Sequence, residues 1–279
     1  MARQRLGQHF LANESWQRRI AETLGCFAPA SKRETWIEIG AGHGEMTQHL
    51  AGKGRRVVAI ETDARLAKEL RTRAAEWACV EVVEGDILRL DLEKIAGGKF
   101  HVYGNLPYYI TSPILKRLFE FANSLLSIHI VVQLEVAERI AARPGSRDYG
   151  FFSTVCQFYA SPELLFRIPP GAFRPPPKVA SALVQMRIPG ERASLGIQNE
   201  GEFLNFLGSC FEAKRKTLRN NLRATLPAQC VAAALAECGV RSDARAEQLT
   251  LTQFATLFRE LTKNQTKKGP ARTVNDETT

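Results

Sequence analysis

No apolar run in this chain approaches the ~20 residues of a membrane-spanning helix, and the stretch Leu125 to Leu134 is broken by Ser127, His129 and Gln133. The first residues lack the apolar core of a secretory signal. Six cysteines (Cys26, Cys79, Cys156, Cys210, Cys230 and Cys238) form no C-x-x-C pair and stand among apolar neighbours. They read as reduced, buried thiols of a cytoplasmic protein. The five histidines show no metal-ligand spacing, so no metal is expected. Also missing is the Gly-x-Gly-x-x-Gly fingerprint that places a pyrophosphate on a helix N-terminus, which argues against a nicotinamide or flavin cofactor.

What the chain does have is enough apolar mass for one large domain and a small one: 279 residues, 44% of them hydrophobic. Its formal charge of +9 points to a polyanionic partner. Asn13 can cap a helix carrying Trp16, Ile20 and Leu24, with Gly25 just past its end. From Thr35 onward, short apolar strands alternate with helical stretches at Met46 to Lys53, Ala64 to Ala75, Pro113 to Ala122 and Glu135 to Ala142. That alternation predicts an α/β fold with a doubly wound, mostly parallel sheet. Two further strands, Leu164 to Ile168 and Ala182 to Ile188, flank a proline-rich loop too short for a parallel return and must pair antiparallel. These boundaries give a first domain over 1–188, a linker over 189–199, a small all-α domain over 200–262 and a disordered tail over 263–279.

Four strand ends carry chemistry. Thr35 to Ile39 runs into Gly40-Ala41-Gly42-His43-Gly44, whose Gly-x-Gly-x-Gly spacing suits a small nucleoside such as S-adenosylmethionine. Val57 to Ile60 ends at Glu61, placed to accept both hydroxyls of a ribose. Val80 to Val83 ends in Glu84-Gly85-Asp86, where Asp86 can accept from an adenine amino group. Phe100 to Tyr103 leads into Asn105-Leu106-Pro107-Tyr108. A planar amine such as adenine N6 is a poor nucleophile because its lone pair is delocalised. The Asn105 oxygen and the carbonyl of Leu106 or Pro107 would hold its hydrogens and localise that pair. Pro107 stiffens the turn, and Tyr108 offers a ring for the base to stack on. Downstream, Lys214, Arg215, Lys216, Arg219 and Arg223 form a run of five cations with no acid, suited to a phosphate backbone.

Together these residues resemble the ribosomal RNA adenine dimethyltransferases, with a match from Leu6 to about Leu261. The segments that carry it include Leu6-Gly7-Gln8-His9-Phe10-Leu11, Glu38 to Gly44, Glu84-Gly85-Asp86, Asn105 to Tyr108, Gln133 to Arg139, Pro144 to Gly150, Phe173 to Val179 and Arg215 to Leu222. Tyr109, Ala180 and Ala41 depart from the residues common in that family, which are asparagine, aspartate and proline. The resemblance implies a class I, Rossmann-like S-adenosylmethionine-dependent fold. It implies a cofactor site lined by His9, Leu11, Gly40, Gly42, Glu61, Asp86 and Asn105, with Tyr108 and Phe173 sandwiching the target adenine. The implied reaction is N6,N6-dimethylation of two adjacent adenosines near the 3′ end of small-subunit ribosomal RNA. The expected partner is that RNA or an immature small subunit, the expected state a monomer, and a membrane is not expected. Rivals are the large-subunit methylases of the erythromycin-resistance type, a DNA adenine methylase, and an assembly factor that acts mainly by binding. Leu106 counts against the DNA enzyme, which usually has proline there.

Overall fold

A computed structural model of the protein describes residues 9–27, 35–51 and 56–266. Among the described residues the strands are β1 (Phe10–Leu11), β2 (Thr35–Ile39), β3 (Arg56–Glu61), β4 (Val80–Glu84), β5 (Phe100–Asn105), β6 (Leu125–Gln133), β7 (Ser161–Ile168), β8 (Phe173–Arg174) and β9 (Ser181–Arg187). Seven of them form one sheet in the order β4-β3-β2-β5-β6-β9-β7. The first five in that order are mutually parallel, and β9 pairs antiparallel with both β6 and β7. The doubly wound core and the antiparallel end therefore match the expectation from sequence. Strand order reverses between β2 and β5, the switch point beside which ligands bind in open α/β sheets.

The helices of this part are α1 (Glu14–Phe27), α2 (Thr47–Ala51), α3 (Ala64–Ala74), α4 (Leu92–Ala96), α5 (Thr111–Phe119) and α6 (Leu134–Ile140). Asn13 caps α1 as expected, its Oδ1 accepting from the N–H groups of Ser15 and Trp16 at 3.1 and 3.2 Å. Gly25 does not end the helix, which runs on to Phe27. Ile20 and Leu24 of α1 pack with Trp36, Leu50, Tyr103, Val131 and Leu183 in a core on the sheet. The chain enters this core by way of β1, which pairs antiparallel with β8 so that Leu11 lies opposite Phe173.

Contacts divide the chain into two compact units: Met1–Ala141 with Cys156–Glu191, and Ala142–Val155 with Arg192–Thr279. The dividing line passes through α7 (Phe151–Tyr159). The second unit holds α8 (Arg192–Leu195), α9 (Glu200–Cys210), α10 (Leu218–Leu222), α11 (Ala228–Glu237) and α12 (Leu251–Thr266). Phe203 packs on Phe258 and Phe211 on Phe254, with ring centroids 5.4 and 5.5 Å apart. Two expected boundaries are corrected. The segment taken as a linker over 189–199 contains α8, which is tied down because Arg259 donates to the Leu195 carbonyl at 2.8 Å and Arg192 pairs with Glu200. The loop before α7 groups with the helical unit because buried Tyr149 donates to the Leu249 carbonyl at 3.1 Å and the Gly145 N–H to the Glu247 carbonyl at 2.7 Å. Helix α12 extends through Thr266, four residues into the expected tail; the rest of that tail lies outside the described residues, as do Leu6, Gly7 and Gln8. Among the described residues no helix is long and apolar enough to cross a membrane.

Candidate active site

A cavity of about 310 Å³ opens at the carboxyl ends of β2, β3, β4 and β5. It is lined by His9, Gly40, Glu61, Asp86 and the turn Asn105 to Tyr108, among others. Eight expected site residues thus reach one cavity from segments nearly a hundred positions apart. Leu11, Gly42 and Phe173 do not line it.

Gly40 and Gly42 both have positive φ (68° and 57°), which favours glycine at each. They differ in what a side chain would meet. A Cβ on Gly40 would enter open space in the cavity wall, whereas one on Gly42 would lie 2.9 Å from the Phe10 ring. Gly40 thus leaves room for a ligand, and Gly42 leaves room for Phe10. The Gly42 N–H also donates to Glu61 Oε2 at 2.9 Å, while Glu61 Oε1 accepts from the Asp63 N–H at 2.9 Å. Asp63 in turn caps α3. Glu61 is buried and fixed by two backbone donors, with a second lone-pair position on each oxygen still to be used. Asp86 uses Oδ1 to accept from the Leu88 N–H at 3.0 Å, and its side chain remains partly exposed at the cavity.

Asn105 is oriented by a partner from the start of the chain. Its Nδ2 donates to the His9 carbonyl at 2.8 Å, and because a carbonyl only accepts, Oδ1 is left on the other side of the amide. Of the two backbone acceptors considered, the Pro107 carbonyl already accepts from Ile110 N–H at 3.2 Å and Thr111 Oγ1 at 3.4 Å. For the Leu106 carbonyl, the described residues supply no donor. Tyr108 is half-buried, and its hydroxyl pairs with Ser181 Oγ at 3.0 Å, which fixes the ring plane. Burial raises the Tyr108 pKa, partly offset by that hydrogen bond. The His9 ring stacks on Tyr108 with centroids 5.7 Å apart, and His9 Nδ1 carries the hydrogen it gives to the Pro175 carbonyl at 2.7 Å.

Phe173 is a correction. At 2% exposure it belongs to the core with Leu11, Leu24 and Trp36, so its ring is not at the cavity as the sandwich required. The reason is the β1–β8 pairing, which places Phe173 opposite Leu11 and draws both apolar side chains into one core. The Leu11 carbonyl accepts from Gln17 Nε2 at 2.6 Å, tying α1 to the short strand that follows His9.

Sequence reasoning missed several residues here. Ser181 lies 73 positions from Tyr108 and carries no local signal. Glu38, noted only as part of the loop motif, is buried beneath that loop and accepts from Thr47 Oγ1 at 2.6 Å. Burial pushes its pKa up to about 8 against the lowering effect of the Thr47 bond, with Glu45 and Glu61 adding to the rise.

In the helical unit the basic run is not one helix face. Lys214, Arg215 and Lys216 are exposed ahead of α10, which starts at Leu218, and Arg223 is exposed after it. Arg219 is half-buried, its Nε enclosed without a partner among the described residues. Lys214 joins Ser146, Arg147, Arg241 and Arg245 around a concavity of about 440 Å³ that also bears Asp243 and Glu247. Its Nζ donates to the Arg147 carbonyl at 3.3 Å. Lys216 and Arg223 line a second concavity with Asn220. Arg241 and Arg245 were not anticipated, since single arginines without a run carry no signal. Among the described residues no group of three or more His, Cys, Asp or Glu could hold a metal ion.

Comparison with known proteins gives a consistent result. A family model described as ribosomal RNA adenine dimethylase matches residues 1–263. A ribosomal RNA small subunit methyltransferase A from Acidobacterium capsulatum is 45% identical, over 92% of this chain and 90% of its own length. One of the same name from Koribacter versatilis is 42% identical, over 93% and 94%. Among solved structures, a dimethyladenosine transferase from Plasmodium falciparum superposes with a TM-score of 0.78 at 25% identity, covering 92% of this chain and 98% of that one. The 23S rRNA methyltransferase ErmE superposes with a TM-score of 0.68 at 30% identity, covering 91% and 99%.

Proposed function

The chain belongs to the ribosomal RNA adenine dimethylase family, and from that premise we propose that it methylates N6 of two adjacent adenosines near the 3′ end of small-subunit ribosomal RNA, giving N6,N6-dimethyladenosine. The observation that carries this reading is the pairing of Asn105 Nδ2 with the His9 carbonyl, which presents Oδ1 as an acceptor at the cavity. Relatives named for the small subunit are 42–45% identical, against 30% for the 23S enzyme, and this favours the small subunit over the erythromycin-resistance alternative.

S-adenosylmethionine, when bound, supplies a sulfonium-activated methyl group. The open wall at Gly40 and the unused lone pairs of Glu61 fit its nucleoside, with Glu61 toward the ribose, Asp86 toward the adenine and His9 toward the methionine end. Asn105 Oδ1 and the Leu106 carbonyl accept the two N6 hydrogens of a flipped adenosine and turn the nitrogen lone pair out of the ring system. Tyr108, held by Ser181, stacks on the base. Methylation leaves a cationic nitrogen that loses its proton readily to water, so positioning supplies most of the rate and no strong base is required. In the second round one hydrogen remains, and Asn105 accepts it.

The basic surface of Arg147, Lys214, Arg215, Lys216, Arg223, Arg241 and Arg245 grips phosphates, with Arg219 contributing less because its stem is enclosed. We place the protein in the cytoplasm as a monomer, acting on the small subunit during its assembly. Transfer of labelled methyl groups from S-adenosylmethionine to isolated ribosomal subunits tests the proposal. Label in unmethylated small subunits supports it. Label in large subunits alone would favour the rival enzyme, and tight binding without label would favour an assembly factor.

A further inference from the structure

Tyr109 is 71% exposed, the most exposed of the large apolar side chains among the described residues. It makes no hydrogen bond or ring contact among them, yet it lines the same cavity as Tyr108. The two occupy the middle of the turn closed by the Ile110 N–H on the Pro107 carbonyl at 3.2 Å. Tyr108 is pinned to Ser181 and half-buried, and Tyr109 faces solvent. Leu88, the other large apolar residue exposed at this cavity, is 37% exposed. A single exposed aromatic is ordinary on a protein surface. This one stands at a cavity mouth, next in the chain to the base platform, on a protein of formal charge +9.

On the reading that an adenosine enters this cavity, we propose that Tyr109 is the stacking platform for the nucleobase next to the target. Consecutive Cα atoms are about 3.8 Å apart, so a strand that gives one base to Tyr108 carries its neighbour across Tyr109. Every base has a π-face, and stacking on an aromatic side chain is tolerant of sequence. Tyr109 therefore selects an unpaired neighbour rather than a particular base, and favours a loop or single strand in which two consecutive nucleotides are unstacked. Because the contact is made on binding and does not touch the reacting nitrogen, it acts on RNA affinity.

The test is steady-state methylation of unmethylated small subunits by the wild type and by Tyr109→Ala, Tyr109→Leu and Tyr109→Phe, with cofactor affinity by calorimetry and folding by thermal melting. Removing one base–aromatic stack should raise KM for the subunit about 5- to 150-fold in the alanine and leucine variants. The phenylalanine variant should stay close to wild type, and S-adenosylmethionine affinity should be unchanged throughout. Leucine keeps apolar bulk without a π-face, so a wild-type KM for Tyr109→Leu or Tyr109→Ala overturns the assignment. A loss in Tyr109→Phe equal to that in Tyr109→Ala also overturns it, because the hydroxyl would then carry the contact. If the wild type methylates no subunit, the underlying function fails and the stacking role with it; if it does, the variants judge Tyr109 alone.

Discussion

Replacing Glu61 by glutamine should weaken the cofactor and the loop that holds it at the same time. A carboxylate offers about four lone-pair positions, and Glu61 spends one on each oxygen, toward Gly42 N–H and Asp63 N–H, both at 2.9 Å. The remaining pair is what a ribose can use. In Glu61→Gln one oxygen becomes a donor, so one buried N–H loses its acceptor at a cost of about 1–3 kcal/mol. One ribose hydroxyl loses a hydrogen bond to a charged group, worth about 1.5–3 kcal/mol, which corresponds to S-adenosylmethionine binding about 10- to 150-fold weaker. Calorimetric titration gives the affinity, and thermal unfolding without cofactor gives the stability. Both should fall. If stability falls while affinity stays at the wild-type value, Glu61 braces the glycine loop and does not touch the ribose.

Asn105→Ala should lower single-turnover methylation about 10²–10³-fold, the usual cost of losing one preorganised polar contact, with RNA binding nearly intact; turnover near wild type would remove Asn105 from the mechanism. Neutralising Lys214, Arg215 and Lys216 together should reduce the log–log salt slope of RNA binding by roughly 2–3 if each meets a phosphate, at about 0.7–0.9 per contact. An unchanged slope would leave them as solvated charges and shift the role to Arg147, Arg241 and Arg245. Glu38 has a folded pKa of about 8 against 4.5 unfolded, so the native state holds more protons between those values and stability should decline as pH rises through that window. Glu38→Gln keeps an acceptor for Thr47 and should flatten that decline in denaturant titrations from pH 5 to 8; an equal decline in both proteins would place its source elsewhere.

The parts legible in sequence were those that depend on neighbours along the chain. Apolar runs ending in Gly40, Glu61 and Asn105 announce strands and place three groups at one sheet edge, because parallel strands all end on the same side. The sheet's β6 was harder to see, since Ser127 and His129 interrupt its apolar pattern. Both are buried, with His129 under Trp36 at 5.5 Å and Ser127 Oγ paired to His101 Nδ1 at 2.7 Å. No local pattern announces a polar side chain satisfied from another strand. The same holds for the Ser181–Tyr108 and His9–Asn105 pairs, made across 73 and 96 positions. Phe173 entered the expected site through the resemblance alone, and it is the pairing of β1 with β8 that draws its side chain into the core.

The site around Asn105 is expected to methylate one adenosine nitrogen twice. Nucleoside mass spectrometry of small-subunit ribosomal RNA, after exhaustive reaction of unmethylated subunits with S-adenosylmethionine and the purified protein, tests it most directly. The expected product is N6,N6-dimethyladenosine at two adjacent positions near the 3′ end. Monomethyladenosine alone, or dimethyladenosine confined to large-subunit RNA, would contradict the account.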